Sequence, residues 1–473
     1  MGSLAHIGGK MQKLKYSLTE GPIFSRLFFF ALPIMASGLL QVMYNMADNI
    51  VVGSFSGDNL ALAAVGSTGT LTTLIVNFLM GFATGSSVII ARSYGAKDSV
   101  GLRASINTSA ALAIIGGLLF ALLSFVLSEP LLAIMGTKDE LMSRAVLYFR
   151  IICVGIPAST VYNFGASILR SLGDSKKPLY ILAVSGLANV ILNFIFVIFC
   201  GMAVSGVALA TIISQYLSAG AVVFLLLRQK DERTRLNLRT IGIDRRVIGK
   251  ILRIAIPASL QSSLFSISNI LIQSGVNQLS VPEVSGKTIS GNIDGLVYTA
   301  MNSYCQTAMT FVSQNYGAKR PDRVKKIMLY TILQVSLVGI FLGQLILLFG
   351  NKIVGIYVDA SDPNREAVIK YSLEVMKLIL NIYFLCGIME TLTGILRGLG
   401  NSFLPMIISV AGVCGLRIVW ILIFFPMETF HNLTGIYLSY PITWVFCITA
   451  LSAALVFEYR KKKRKLMSEG AID

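Results

Sequence analysis

Runs of about twenty or more apolar residues, separated by short polar breaks, recur along the whole chain. Each run can cross a hydrocarbon core of about 30 Å as a helix. The composition agrees, because 55% of the 473 residues are hydrophobic and only 13% are charged, whereas about a quarter are charged in a soluble domain. We therefore predict an all-α integral membrane protein with twelve transmembrane helices, at 25–53, 60–91, 104–127, 144–169, 178–200, 203–227, 249–279, 288–314, 326–349, 370–396, 405–425 and 433–457.

Lysine and arginine alternate with these spans. The breaks after even-numbered spans are basic, and the chain ends in the basic sequence YRKKKRK, whereas the breaks after odd-numbered spans are short or mixed in sign. The positive-inside rule then places both termini and every basic loop in the cytoplasm. The first run is too long for a signal-peptide core, so it remains as span 1. We expect a multi-pass protein of the cell (cytoplasmic) membrane, and we attribute the net charge of +17 to topology rather than to nucleic-acid binding.

The two halves of the chain repeat three markers in the same order. Residues 25–41 and 249–265 share a proline at Pro33 and Pro257, YGAK occurs at 94–97 and 316–319, and RSLGDSKKP at 170–178 matches RGLGNSFLP at 397–405. Each half holds six spans, an even number, so we predict two parallel six-helix repeats related by a pseudo-twofold axis along the membrane normal.

The repeats set the expected domain boundaries. We expect an N-terminal tail at 1–20, whose first ten residues resemble an expression-tag remnant, an N-lobe at 21–227 and a cytoplasmic linker at 228–248. A C-lobe at 249–457 and a basic cytoplasmic tail at 458–473 follow. In the repeated turn, arginine holds the cytoplasmic side, glycine makes the turn and proline begins the next helix. The GFATG sequence within span 2 is typical of a close helix contact.

These markers, together with the first-helix stretch LPIMASGLLQVMYNMADNIVVG, resemble the multidrug and toxic compound extrusion family of cation-coupled exporters. The resemblance covers roughly residues 21 to 460. It implies a two-lobe antiporter that expels small organic, often cationic, compounds in exchange for H⁺ or Na⁺. The same superfamily contains flippases of lipid-linked precursors, which remain the alternative.

A carboxylate inside a membrane span is costly and is therefore a functional candidate. Asp48 lies in the outer part of span 1, with Tyr44 and Gln41 one and two turns earlier on the same face. It could also be a helix-end residue that reaches the outer interface. The resemblance implies that the coupling carboxylate lies at this position, so we predict that Asp48 binds H⁺ or Na⁺.

Span 5 carries Asn189 and Asn193, four residues apart and so on one helical face. Their amide oxygens could coordinate the coupling ion, or the amides could hydrogen-bond between helices. Many family members have Asp where this chain has Asn193, which leaves Asp48 as the only charge predicted at this site. We predict that Asp48, Asn189 and Asn193 form the ion-coupling site.

The C-terminal half contains Asp294 near the start of span 8 and Glu390 deep within span 10. Asp294 could instead cap its helix at the interface. We predict a substrate cavity formed by Gln41, Tyr44, Asn163, Gln261, Asp294, Met301 and Glu390.

Other residues narrow the function. All six cysteines fall inside or at the edge of apolar spans without paired spacing, which argues against disulfides and thiolate metal sites. No cluster of His, Ser and acidic groups indicates an enzyme, and we expect no cofactor and no metal beyond a possible Na⁺ at Asp48. We place the basic residues in loops and ends, which favours a cationic or neutral substrate over a lipid-linked phosphate. The expected partners are this small organic compound and the lipid bilayer, with the protein acting as a monomer.

Overall fold

The computed structural model describes residues 17–55, 61–202, 204–359 and 363–468. The predicted tag remnant at 1–10 lies outside these residues. Within them, the regular elements are helices and no strand is present. The long helices are α1 (Ile23–Phe55), α2 (Ala61–Gly95), α3 (Ser99–Val126), α4 (Asp139–Ser171), α5 (Lys176–Asn193), α6 (Val204–Leu227), α7 (Arg245–Val276), α8 (Val281–Gly317), α9 (Pro321–Tyr357), α10 (Arg365–Leu380), α11 (Tyr383–Gly398), α12 (Phe403–Phe424) and α13 (Leu433–Ser468).

These helices correspond in order to the twelve predicted spans. Helices α10 and α11 form the tenth span together, with a bend of 48° between them. In the described residues, ten helices and this bent pair are long and apolar enough to cross a membrane. Helix α8 is the exception, because Glu283, Lys287 and Asp294 lie in its first half. Helix α13 continues through Ser468, so much of the predicted basic tail is helical.

The chain packs as two compact units. Unit 1 contains Ala36–Ser259, and unit 2 contains Thr19–Met35 and Leu260–Asp473. The predicted lobes keep span 1 and span 7 whole, whereas the packing in the structure divides both helices, two residues after Pro33 in α1 and after Pro257 in α7. A helical proline removes one backbone hydrogen bond and loosens the turn before it, so both divisions follow the repeated prolines.

Unit 1 is built around α4, which packs extensively against α2, α3 and α6. The first part of α7 completes it. A Cβ atom on Gly81 would lie 2.5 Å from Ser259 Cα, and one on Gly85 would lie 2.7 Å from the Ile251 carbonyl oxygen. Ser259 also donates a hydrogen bond of 2.7 Å to the Phe78 carbonyl. The GFATG glycines therefore allow the close contact between α2 and α7.

Unit 2 is built in the same way around α8, which packs against α9, α10 and α11. Here the first part of α1 completes the unit. Gln334 on α9 donates a hydrogen bond of 2.6 Å to the Phe24 carbonyl, and the rings of Phe30 and Phe311 lie 5.4 Å apart, edge to face. Each proline therefore lies near the end of a short helical segment. That segment packs in the unit formed mainly by the other half of the chain.

The repeated turns adopt the same backbone conformation in both units. Gly173 and Gly400 have φ angles of 96° and 92°, in the region that favours glycine. The side chain of Asp174 accepts hydrogen bonds from the backbone N–H groups of Lys176 and Lys177 and so begins α5. The prediction that this glycine makes the turn is confirmed.

The segment between α6 and α7 packs on unit 1. Leu236 is buried in a cluster at the end of the unit, and its backbone N–H donates to the Leu226 carbonyl at 3.1 Å. Asn107 on α3 donates to the Thr240 hydroxyl at 3.0 Å. The other buried members of the cluster are Ile90, Leu102, Ile106, Ile168, Leu169, Leu172, Ile181, Val222 and Leu226.

Candidate functional site

A carboxylate and two amides from different helices meet inside unit 1. Asn193 on α5 donates a hydrogen bond of 2.5 Å from Nδ2 to Asp48 Oδ1 on α1. The same Nδ2 atom lies 3.4 Å from Asn189 Oδ1, one turn earlier on α5. Asn193 is fully buried and Asn189 is 4% exposed. The structure therefore places the three predicted ion-coupling residues together.

A fourth side chain, which the sequence did not indicate, joins this group. Thr211 Oγ1 on α6 lies 3.5 Å from Asp48 Oδ2 and donates its shorter hydrogen bond, 2.9 Å, to the Val207 carbonyl. Asn193 Oδ1 is buried without a hydrogen-bond partner among the described residues. Carboxylate, amide and hydroxyl oxygens are the ligands of hard cations, so this donor set fits Na⁺. A carboxyl group can also carry a proton. We call Asp48, Asn189, Asn193 and Thr211 the Asp48 cluster.

An apolar group lies about one helical turn from the Asp48 cluster. Val51, Val197 and Val207 are buried together, with Tyr148 packed against them. Each valine lies about one turn beyond a cluster residue, towards the predicted outer ends of α1, α5 and α6.

Tyr44 lies one turn before Asp48 and packs on α5. Its hydroxyl lies 3.4 Å from the Ala183 carbonyl, to which it donates. A Cβ atom on Gly186 would lie 1.8 Å from Tyr44 Cε2, so only glycine permits this position of the ring. Gln41 is exposed and Asn163 is half-buried on α4. Neither forms a hydrogen bond with the Asp48 cluster in the described part of the chain.

Unit 2 encloses a cavity of about 380 Å³. It is bounded by α7, α8 and α10 to α13, and aromatic side chains form part of its wall. Four side chains that can carry charge line it: Lys287, Asp294, Glu390 and Arg417. The structure therefore brings the two predicted acids of the C-terminal half into one cavity. Asp294 lies well inside α8, whose first residue is Val281, so it does not cap that helix.

Two residues of the predicted substrate cavity lie elsewhere in unit 2. Met301 is fully buried, and its sulfur packs where Gly339 and Gly387 leave room on α9 and α11. Gln261 is buried and accepts a hydrogen bond of 2.9 Å from Arg397. Neither lines the 380 Å³ cavity. A flexible methionine fills such gaps between helices well, which explains the position of Met301.

The prediction that basic residues are confined to loops and ends is wrong. Arg417 lies within α12, is 4% exposed and faces the unit 2 cavity. The sequence prediction placed Lys287 in the break before span 8. Helix α8 starts well before that predicted span, so Lys287 lies in its second turn and lines the cavity. The cavity therefore contains both signs of charge.

These residues differ in whether the sequence alone indicates them. Arg417 stands inside the predicted span 405–425, and a charge within an apolar run was a usable signal. Thr211 carries no charge and occurs in an ordinary apolar span, so nothing in the sequence marks it.

A known protein family matches both sequence repeats of the chain. The MatE family model matches residues 33–195 and 257–423, one match in each sequence repeat. The chain belongs to the MatE family. These transporters are the multidrug and toxic compound extrusion proteins, and the predicted family and its all-α transmembrane fold are confirmed.

Relatives of this MatE chain extend over nearly its whole length. It is 25% identical over 443 residues to the probable multidrug resistance protein YoeA of Bacillus subtilis, covering 92% of this chain and 94% of YoeA. It is 27% identical over 460 residues to YpnP of the same organism, also described as a probable multidrug resistance protein, covering 96% and 99%. An outward-facing structure of a multidrug resistance MATE transporter superimposes with a TM-score of 0.86 at 21% identity, covering 95% and 98%.

Proposed function

We propose that this protein is a secondary active antiporter that exports small, positively charged organic compounds in exchange for H⁺ or Na⁺ by alternating access. It acts as a monomer in the cell membrane, with both termini in the cytoplasm. The observation that carries the proposal is the Asp48 cluster, which holds one half-buried carboxylate among amide and hydroxyl groups in a chain of the MatE family.

The cluster residues suit an exchange of ions. In the hydrogen-bonded state, Asn193 donates to the Asp48 carboxylate. If Asp48 is protonated or holds Na⁺, rotation of the Asn193 amide by 180° presents its Oδ1 atom, which otherwise has no partner in the described residues. Thr211 can donate or accept through its hydroxyl. The four side chains can therefore serve Asp48 with and without its ion.

The alternative, a flippase of lipid-linked precursors, needs basic groups inside the membrane spans. Arg417 and Lys287 supply two such groups, so charge alone no longer argues against it. The relatives favour export, because YoeA and YpnP are both described as probable multidrug resistance proteins. We therefore keep the exporter as the proposed function.

The decisive experiment replaces Asp48→Asn in a pump-deficient bacterium. The substitution keeps the size of the side chain but removes the titratable charge, so export of cationic dyes and drugs should fall to the level of the empty vector. Efflux is measured against a panel of such compounds at several pH values and Na⁺ concentrations, which also identifies the coupling ion. Asp139→Asn is the matched control, because Asp139 is an exposed carboxylate in the first turn of α4.

Membrane insertion of both variants is checked by the amount and elution profile of the purified protein. Wild-type export by well-folded Asp48→Asn would remove Asp48 from the coupling mechanism. Failure of the wild-type protein to export any compound of the panel would refute the proposed function itself.

A further inference from the structure

The four charged residues of the unit 2 cavity are not paired with one another. Within the described residues, no ion pair joins Lys287 or Arg417 to Asp294 or Glu390. Asp294 Oδ1 is buried without a hydrogen-bond partner in that part of the chain. Glu390 is 7% exposed and Arg417 is 4% exposed. Lys287 donates a hydrogen bond to Gln273 and Arg417 donates one to Thr443, so the basic residues have neutral partners but no carboxylate partner. Charges held away from water without an opposite charge are costly, so a ligand that supplies the opposite charges would relieve this cost.

Arg417 is held in a fixed orientation. Its guanidinium carbon lies 3.8 Å from the centre of the Tyr440 ring, and its Nε–H donates to the Thr443 hydroxyl at 3.2 Å. Its two terminal NH₂ groups form no hydrogen bond with the described residues. A guanidinium group that presents this edge binds a carboxylate or phosphate through two parallel hydrogen bonds. Arg417 is therefore a preorganised site for an acidic group.

The backbone of α12 places Arg417 at the cavity. It lies between two π-helical segments, Val410–Leu416 and Trp420–Phe424, where the helix is widened. Such segments often occur at functional sites. Helix α5 in unit 1 also becomes π-helical, at Phe194–Phe199, directly after Asn193.

The two repeats differ in charge at this position, because valine stands in the first and arginine in the second. When Arg170 of the first repeated turn is aligned with Arg397 of the second, Val190 aligns with Arg417. Val190 directly follows Asn189, which belongs to the Asp48 cluster. The unit 1 site therefore combines a carboxylate with amides, whereas its counterpart in unit 2 contains a guanidinium group.

The cavity wall beside Arg417 is a continuous series of aromatic rings. Tyr437 and Tyr440 are stacked with centroids 5.1 Å apart, and Tyr440 meets Trp444 edge to face at 5.8 Å. Trp444 in turn meets Tyr383 at 5.5 Å. Flat ligands gain both apolar contact and favourable ring geometry on such a wall.

We propose that the unit 2 cavity binds an aromatic compound that carries both an acidic group and an amine. Arg417 and Lys287 bind the acidic group, Asp294 and Glu390 bind the amine, and the aromatic wall holds the ring. A compound with both charges pairs with both sets of residues, whereas a simple cation or anion leaves one set unpaired. The inference rests on the proposed export function for its biological role, but it concerns binding and can be tested without transport.

The test uses three probes with the same indole ring. Tryptophan carries both charges, its methyl ester carries only the amine charge, and N-acetyltryptophan carries only the carboxylate. Binding to the purified full-length protein in detergent is measured by calorimetry. One charged contact changes affinity by about tenfold or more, so tryptophan should bind at least about tenfold more tightly than either blocked probe.

The variants assign the charges to residues. Arg417→Gln should reduce the advantage of tryptophan over its methyl ester, and Arg417→Lys should reduce it less. Glu390→Gln should reduce the advantage of tryptophan over N-acetyltryptophan. Lys287→Gln gives a second test of the acidic-group site that does not disturb the buried guanidinium.

Arg150→Gln is the matched control. Arg150 in unit 1 also donates from Nε to a hydroxyl, that of Ser128 at 3.0 Å, and lies over an aromatic ring, that of Phe125 at 5.4 Å. It lies outside the unit 2 cavity, so this variant should keep the wild-type ranking of probes.

Three results would overturn the inference: no probe binds, the methyl ester binds as tightly as tryptophan, or the ranking survives in both Arg417→Gln and Lys287→Gln. None of them would alter the Asp48-dependent export of cations in cells. Conversely, the predicted ranking in a protein that exports nothing would support the cavity site and refute the proposed function.

Discussion

The contact between Tyr44 and Gly186 gives a sharp test of how unit 1 positions its carboxylate. Gly186→Ala would place a Cβ atom 1.8 Å from Tyr44 Cε2 and 2.0 Å from Tyr44 Cζ. Carbon atoms pack at about 3.5–4.0 Å, so the ring must retreat by roughly 2 Å. Because Tyr44 and Asp48 lie one turn apart on the same face of α1, we expect the displacement to disturb the 2.5 Å hydrogen bond between Asp48 and Asn193.

The size of the effect follows from the cost of overpacking. Adding a methyl group to a filled contact costs about 1–3 kcal/mol. If that strain is relieved by separating α1 from α5, the affinity of the Asp48 cluster for its ion falls by about 5- to 150-fold. The apparent ion concentration at half-maximal dye efflux should rise accordingly.

The assay measures dye efflux from whole cells, or dye uptake into inside-out vesicles, over a range of pH and Na⁺ concentration. Gly220→Ala is the matched control, because a Cβ atom there would meet nothing within 4 Å. The double variant Gly186→Ala with Tyr44→Ala restores the space and should recover most of the ion affinity. Unchanged ion dependence in Gly186→Ala, or failure of the double variant to improve on it, would refute this account of the α1–α5 contact.

Two further predictions concern the linker and the topology. Leu236→Ala should destabilise the protein by about 2–5 kcal/mol, since Leu236 is 5% exposed within a buried cluster. Leu238→Ala, at a residue that is 58% exposed, should change stability by no more than about 0.5 kcal/mol, and equal losses of thermal stability in the two variants would contradict the packing of the linker. Cys200 is the one exposed cysteine of the described chain, so a membrane-impermeant maleimide should label intact cells and should no longer do so after Cys200→Ser. Labelling that requires permeabilised cells would place this end of α5 in the cytoplasm.

The parts of the fold that could be predicted depend on local sequence. The lengths of the apolar runs predicted the membrane helices. The repeated turn motif predicted that glycine makes the turn, and Gly173 and Gly400 have positive φ. The second repeated motif shows the limit of this reasoning. In YGAK the left-handed residue is the lysine, with φ of 58° at Lys97 and 56° at Lys319, although a glycine stands two positions earlier. The left-handed residue is the one just after the helix end. Whether that is the glycine or the lysine depends on where packing ends the helix.

The candidate sites show the same division. Asp48 could be found because a carboxylate in an apolar span is rare, and Asn189 and Asn193 because their spacing puts them on one face. Lys287 could not, because the length of α8 decides whether it lies in a loop or in the cavity. The division of α1 and α7 between the units could not be predicted either, since it depends on contacts between residues far apart in the chain.

The division of α1 and α7 has a consequence for biosynthesis. Unit 1 needs residues up to Ser259, about thirty beyond the end of its own sixth helix, and unit 2 uses Thr19–Met35, which are synthesised before the whole of unit 1. At about 5–20 residues per second, the first part of α7 is synthesised a few seconds after α6 ends. Only then can it pack against Gly81 and Gly85 of α2. The first part of α1 waits for its partners in the second repeat to be translated. Neither unit can finish folding from its own repeat alone, so each waits for, or keeps available, a segment from the other repeat.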